Sequence, residues 1–369
     1  MTRAQKTDQA PEADGMQERV PSAVRSGVPA KTEDFGNGMP YRTLSSWCLA
    51  HYGEKLYKIS LDAGFTCPNR DGTLGSRGCI FCSAGGSGDF AAGRDGIGSL
   101  PRRPGPGTQT DPERRPEAGS LRAQLDAGKA LLSRKRTGSR FIAYFQAYTN
   151  TYGPVSRLER LFSEALSEPD IAGISIATRP DCLPEEVIGL FLRLKKSFPG
   201  KFIWVELGLQ TIHEKTAAYI RRGYPLSRFD EAVRALRAAD IPVVVHVILG
   251  LPGETREMML QTVRYLNGCG IWGVKLQLLH VLEGTDLAAD YRAGLFQTLS
   301  LEEYLSLLCD CIAALSPEIV IHRVTGDGPK RLLIAPLWSA DKRNVLNLLH
   351  RRLKQNAIRQ GQTAGLETP

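Results

Sequence analysis

Three cysteines, Cys67, Cys79 and Cys82, stand in the loop GFTCPNRDGTLGSRGCIFCS (64–83) with the spacing C-x11-C-x2-C. Thiolates at such spacing are ligands for zinc or for an iron–sulfur cluster. A structural zinc takes four ligands, favouring two close pairs. Only Cys79 and Cys82 make such a pair, and the nearest upstream histidine, His51, precedes the first expected strand. A catalytic zinc on three cysteines and a water is one reading. A [4Fe–4S] cluster on three cysteines is the other, and it leaves one iron with an open position. The absent fourth cysteine is then a requirement of the chemistry.

Composition sets the setting for these thiols. The chain of 369 residues is 42% hydrophobic and 23% charged, values of an ordinary globular protein, long enough for one large domain or two smaller ones. No apolar run reaches the roughly 18 residues of a transmembrane helix, and the start MTRAQKTDQAPEADG has no apolar signal segment. No membrane association is expected. A cytoplasmic location follows, where thiols stay reduced and clustered cysteines more often bind metal than form disulfides. The net charge of +8 favours polyanionic partners.

The elements that must position the cysteines are short apolar runs alternating with helical patterns. Residues 1–38 are polar and lack periodicity, as a disordered tail would, and 94–120 form a low-complexity insertion rich in Gly, Pro and Arg. A core over 39–338 and a basic C-terminal helix and tail over 339–369 complete the organisation. KLYKISL (55–61), FIAYFQAY (141–148), IAGISIA (171–177), FIWVELGL (202–209), PVVVHVIL (242–249) and GVKLQLLH (273–280) are strand-like. Between them, SRLERLFSEAL (156–166) places Leu158, Leu161, Phe162 and Leu166 on one helical face. Repeated strand–helix units specify a parallel sheet with right-handed crossovers. Six such units make an α/β fold, a partial (β/α)6 TIM-like barrel, whose functional residues gather at the strand C-termini. The cysteine loop, TRPD, LQT and GLPGET all follow strands in this way.

The segment ISLDAGFTCPNRDGTLGSRGCIFCS resembles the radical SAM superfamily, in the branch that contains the Elongator catalytic subunit and a smaller bacterial family of YhcC/YtqA type. The likeness continues through ATRPDCLP (177–184), VELGLQT (205–211), IRRGY (220–224), HVILGLPGET (246–255) and HRVTGDGPK (322–330), covering about residues 40–350 outside the insertion. The resemblance implies a [4Fe–4S] cluster on Cys67, Cys79 and Cys82, and S-adenosylmethionine chelated to the open iron through its amino and carboxylate groups. It further implies that Gln210 and Arg222 hold the methionyl and ribose parts of that cofactor, that Ser175 and Arg179 add contacts, and that Gly250, in GLPGET, lies where the backbone nears the adenine. His246 matches a position often acidic in relatives. Glu206 either lines the site or is a core carboxylate paired with an arginine.

The remaining candidates are weaker. Cys309 and Cys311, two apart on one helix, are expected to pack in the core, as is Cys182. His280 is expected to be structural. His322, Arg323, Asp327 and Lys330 are candidate substrate contacts, and Ser339 is a candidate cap for a basic helix over 339–357.

For substrate, the resemblance points to the C5 side chain of the tRNA wobble uridine, with conversion of carboxymethylaminomethyluridine to aminomethyluridine as the concrete case. An electron donor such as flavodoxin or ferredoxin is then needed. A radical SAM factor acting on a protein or metabolic-enzyme partner, and a non-catalytic iron–sulfur sensor or binding protein, are the alternatives. No counterpart of the acetyltransferase domain of the Elongator subunit is expected, so acetyl-CoA use is not implied.

Overall fold

In the computed structural model, the apolar runs and amphipathic helices assemble as one open parallel sheet with helices against it. Residues 35, 38–86, 120–133, 138–326 and 328–365 are described. Apart from Phe35, Gly38 and Ser120, the expected tail (1–38) and insertion (94–120) lie outside them, as does Asp327.

The chain begins with α1 (Leu44–Tyr52), β1 (Tyr57–Leu61), α2 (Leu121–Ser133), β2 (Phe141–Phe145), α3 (Val155–Ser167) and β3 (Ile171–Thr178). It continues through α4 (Glu185–Ser197), β4 (Phe202–Gln210), α5 (Glu214–Tyr219), α6 (Leu226–Ala238), β5 (Val243–Leu249), α7 (Arg256–Cys269) and β6 (Gly273–Leu278). The last part holds β7 (Val281–Leu282), α8 (Asp286–Arg292), α9 (Leu301–Ala314), β8 (Val320–Arg323), β9 (Leu333–Ala335) and α10 (Lys342–Gln355). The sheet order is β1-β2-β3-β4-β5-β6-β8, all parallel, while β7 and β9 form a separate antiparallel pair. The sheet thus has seven strands where six were expected, because the four-residue run after α9 adds itself to β6. Side chains show how strongly it curls. In a flat sheet β1 and β6 would stand ~24 Å apart at about 4.8 Å per strand step, yet Lys58 of β1 and Lys275 of β6 bond the same carboxylate, that of Glu206.

Strands covered on both faces need unbroken apolar sequence, and β2 and β3 are buried along their full length. Helix α3 buries Leu158, Leu161, Phe162 and Leu166, the face expected from periodicity. Each such side chain contributes about 1.5–3 kcal/mol on burial. Beside the strand N-termini, Trp47, Phe202, Trp204 and Trp272 pack together, with Phe202 stacked on Trp204 at 3.9 Å between centroids.

Helix α9 starts with a capping box of Ser300 and Glu303 and buries both Cys309 and Cys311. Two residues two apart are both covered because α9 packs against α7 and α10. Helix α10 buries Val345, Leu349 and Leu353. Its cap is Asp341, which accepts from the Asn344 N–H at 3.1 Å, and not Ser339. Ser339 lies in a short 3₁₀ turn, where its hydroxyl donates to the Pro336 carbonyl at 2.8 Å. The turn delays the helix until after Asp341.

Candidate active site

The cysteine loop is fixed by its own backbone and by two side chains. The Arg70 N–H bonds the Cys67 carbonyl at 2.8 Å, and the Cys82 N–H bonds the Cys79 carbonyl at 3.0 Å, closing the C-x2-C turn. The Arg70 guanidinium donates to the carbonyls of Cys82 and Ser83 at 3.0 and 2.6 Å. Asn69 donates through Nδ2 to the Arg221 carbonyl at 2.7 Å and to Cys79 Sγ at 3.4 Å, tying the loop to the turn after α5. Gly223 permits that contact. Its φ is +83°, and a Cβ there would meet Asn69 Oδ1 at 2.8 Å. Burial, with Cys82 and Cys67 beside it, pushes the Cys79 thiol up to about 12. A cationic metal centre is what would hold this sulfur as thiolate. Among the described residues no three His, Cys, Asp or Glu side chains group as ligands of a single ion.

All three cysteines line one cavity of about 1060 Å³, together with Arg179, Gln210, Arg222 and His246. A register shift between Gly208 and Gln210 and a φ of +65° turn Gln210 out of the regular strand path. Its buried Oε1 has no hydrogen-bond partner, so it fits a ligand that brings a donor. Arg222 is buried, contrary to a solvated basic pair with Arg221. Its guanidinium bonds the carbonyls of Tyr224, Thr211 and Leu209 at 2.9, 2.7 and 3.3 Å, and Glu214 at 3.0 Å. Most of the fork expected to meet a cofactor carboxylate is therefore engaged in holding the LQT and RGY segments together. Arg179 is similarly engaged, with two bonds to Asp181 and one to the Arg222 carbonyl.

Two expected contacts stand away from the cavity. Gly250 has a φ of +89°, its N–H faces Met259 Sδ at 3.0 Å, and a Cβ would meet Leu299 at 3.2 Å and, more distantly, Leu279 of the cavity wall at 3.9 Å. Ser175 is fully buried on β3 and donates to Glu206 at 2.6 Å, so it touches the site through that carboxylate.

Glu206 itself is the centre of the inner wall, and its partners are lysines and a histidine, not an arginine. Oε1 accepts from Ser175 and Lys58, and Oε2 from Lys275 and from His246 Nε2 at 2.6 Å. Burial opposes the Glu206 charge, yet Lys275 and Lys58, with the His246 hydrogen bond, hold the carboxyl well below the usual carboxylate range. Burial and the Lys275 charge bring His246 down to about 4, so the ring is neutral and its Nε2–H is the donor. Lys275 also donates to the Tyr144 hydroxyl at 3.0 Å. Lys58 and Lys275 were not singled out from sequence, although a lysine inside a largely apolar strand is the signal that marks Lys275: β6 reads GVKLQL, with Lys275 buried.

The candidate substrate residues separate. Arg323 and Lys330 line the cavity, with Lys342 and Arg343 from the start of α10. His280 lines it too, its Nε2 3.0 Å from Ser339 Oγ. His322 does not: it packs edge-on against Trp272 and Trp204, with neither ring nitrogen bonded. Cys182 is buried, as expected.

Comparison with known proteins defines the class. Residues 72–266 match the model of the radical SAM superfamily and 271–355 that of the radical SAM C-terminal domain. The chain belongs to the radical SAM superfamily, and its cofactors are a [4Fe–4S] cluster and S-adenosylmethionine. Within it, the chain is 41% identical to YtqA of Bacillus subtilis over 87% of its own length and 92% of the relative's, which places it in the YhcC/YtqA-type family. It is 24% identical to a tRNA uridine(34) acetyltransferase of Methanocaldococcus jannaschii over 52% of this chain and 35% of that one. The fold is similar to the solved archaeal Elp3 of Methanocaldococcus infernus, with a TM-score of 0.57, 16% identity and 83% and 64% of the two chains covered.

Proposed function

We propose that this enzyme modifies the C5 side chain of the tRNA wobble uridine, converting carboxymethylaminomethyluridine to aminomethyluridine: the N–CH2 unit of the arm is oxidised to an imine whose hydrolysis releases the two carbons as glyoxylate, and S-adenosylmethionine is the two-electron oxidant, ending as methionine and 5′-deoxyadenosine. The observation that carries the reading is the single cavity in which Cys67, Cys79 and Cys82 share walls with Arg323, Lys330, Lys342 and Arg343. Cysteine loop and basic group follow β1 and β8, the two edges of the open sheet. At about 1060 Å³ the cavity lies at the upper end of the roughly 300–1,000 Å³ range of small-molecule pockets. The basic side chains suit the phosphates of an RNA whose unstacked loop base enters the cavity. The likeness to a tRNA uridine(34) acetyltransferase supports the choice of nucleotide.

In this reading Cys67, Cys79 and Cys82 hold the cluster and Gln210 meets the cofactor with its unpaired carbonyl. When bound, the reduced cluster supplies the electron that cleaves S-adenosylmethionine to a 5′-deoxyadenosyl radical. Arg222, Arg179 and Asn69 act as positioning residues by locking the strand-end loops around the cysteines. A donor such as flavodoxin or ferredoxin supplies the electron. We assign the protein to the cytoplasm: all eight cysteines are free, and no helix among the described residues is long and apolar enough to cross a membrane.

The test is mass spectrometry of tRNA nucleosides from a strain lacking the gene, complemented with wild type or Cys82→Ala. Accumulated carboxymethylaminomethyluridine that only the wild type removes is the expected result. An unchanged nucleoside profile overturns the tRNA reading; a protein-directed radical enzyme then takes its place if S-adenosylmethionine is still cleaved, and an iron–sulfur sensor if it is not.

A further inference from the structure

Two ammonium groups share one carboxylate on the inner wall of the cavity. Glu206 has about four acceptor sites, and Ser175, Lys58, Lys275 and His246 fill them. Each ammonium has three donors. Lys58 gives two, to Glu206 and, at 3.5 Å, to Ser175. Lys275 gives two, to Glu206 and to the Tyr144 hydroxyl. Among the described residues neither has a further hydrogen-bond partner, so as an ammonium group each keeps one N–H beyond these bonds. The two nitrogens sit 4.7 and 4.4 Å from the centroid of the same Tyr144 ring, and both residues line the cavity.

Charge points the same way as donor count. With His246 neutral, the two lysines share the single carboxylate of Glu206, in a wall where Lys275 has a side-chain exposure of only 4%. Buried charge without a counter-charge is costly. Burial and the neighbouring Lys58 and Arg323 bring Lys275 well below its usual range, with Glu206 only partly opposing them. An arriving monoanion with two acceptor oxygens favours the charged form of Lys275 against burial and the neighbouring cations.

We infer that Lys58 and Lys275 form a clamp for a carboxylate carried by the substrate, each giving one N–H to one oxygen. The identity of that substrate rests on the wobble-uridine reading, in which the carboxymethylamino arm bears the carboxylate and its product lacks it. The clamp gives the enzyme a means of distinguishing the two. A phosphate matches less well, since two N–H donors meet the two oxygens of a carboxylate and leave further phosphate oxygens unpaired. The methionyl carboxylate of the cofactor has the same chemistry, so the experiment separates the two sources.

Binding is measured anaerobically by calorimetry on the reconstituted full chain, as wild type, Lys58→Met and Lys275→Met. Met keeps the length of the stem, and in each variant Glu206 retains the other lysine. The ligands are S-adenosylmethionine, then the nucleosides carboxymethylaminomethyluridine and aminomethyluridine with the cofactor present. Labelled acetate, followed by carbon NMR, serves as a carboxylate probe independent of any nucleoside. Wild type is expected to prefer the carboxylate-bearing nucleoside by about 10- to 100-fold, the worth of a charge-assisted pair of hydrogen bonds. Either substitution abolishes most of that preference and the acetate signal, while the affinity for S-adenosylmethionine stays the same. A fall in cofactor affinity parallel to the loss of acetate binding overturns the inference by assigning the lysines to the cofactor. A nucleoside preference that survives both substitutions overturns the clamp and leaves the tRNA reading standing. Acetate binding that depends on the lysines, with no discrimination between nucleosides, supports the clamp and removes the wobble uridine as its substrate.

Discussion

Replacing His246 by Gln should flatten the acid side of the stability profile by an amount that follows from its surroundings. The imidazole is enclosed by Glu206, Lys275 and Lys58, and burial with the Lys275 charge lowers its pKa from the ordinary 6.5 to about 4. Between those values the unfolded chain binds a proton that the folded chain does not, so stability falls as pH falls through this window. From pH 7 to pH 5 the loss attributable to this one ring is about 2 kcal/mol. Gln keeps an N–H donor for Glu206 and has no titration. Urea-unfolding midpoints of wild type and His246→Gln, compared at each pH, cancel losses common to both, including that of the cluster. The wild type should lose about 0.7 M more than the variant between pH 7 and 5, taking an m value of about 3 kcal/mol/M. A wild-type-minus-variant difference that is equal at the two pH values would refute the assignment of a neutral, enclosed His246.

Other expected outcomes address the remaining parts of the site. Cys67→Ala, Cys79→Ala and Cys82→Ala should each remove the cluster and S-adenosylmethionine cleavage; normal iron content and cleavage in any of them contradicts the ligand assignment. Arg222→Met should lower stability by about 3–5 kcal/mol, because it leaves the carbonyls of Leu209, Thr211 and Tyr224 without their donor, with a thermal midpoint unchanged from wild type as the contrary result. Gly223→Ala should lower iron occupancy, since the added Cβ meets Asn69 Oδ1 at 2.8 Å in a backbone with φ +83°; full occupancy would show that the cysteine loop does not depend on this contact.

Much of the scaffold was legible because its signals are local. Largely apolar runs such as VVVHVIL gave six strands, and the Leu158–Leu161–Phe162–Leu166 face gave α3. The three cysteines stood out by type and spacing, which left zinc and a [4Fe–4S] cluster both open, and the structure brings all three to one cavity. What escaped depended on closure of the sheet. Lys58 and Lys275 are 217 positions apart and meet only because β1 and β6 curl toward each other, so nothing local links them to Glu206. His322 and Gly250 lie in segments that carry the family resemblance, yet a resemblance does not say which way a side chain or a backbone turn points. One is packed among tryptophans and the other against Leu299. Ser339 has the chemistry of a cap, but the 3₁₀ turn at Leu337–Ala340 moves that task to Asp341.

The most direct test of the central claim is a reconstitution in which purified, cluster-loaded protein, S-adenosylmethionine and a reductant are incubated with tRNA from the deletion strain. Nucleosides and 5′-deoxyadenosine are then quantified together by mass spectrometry. Loss of carboxymethylaminomethyluridine, gain of aminomethyluridine and matching formation of 5′-deoxyadenosine are expected, all absent with Cys82→Ala. Formation of 5′-deoxyadenosine with every tRNA nucleoside unchanged would contradict the proposed substrate.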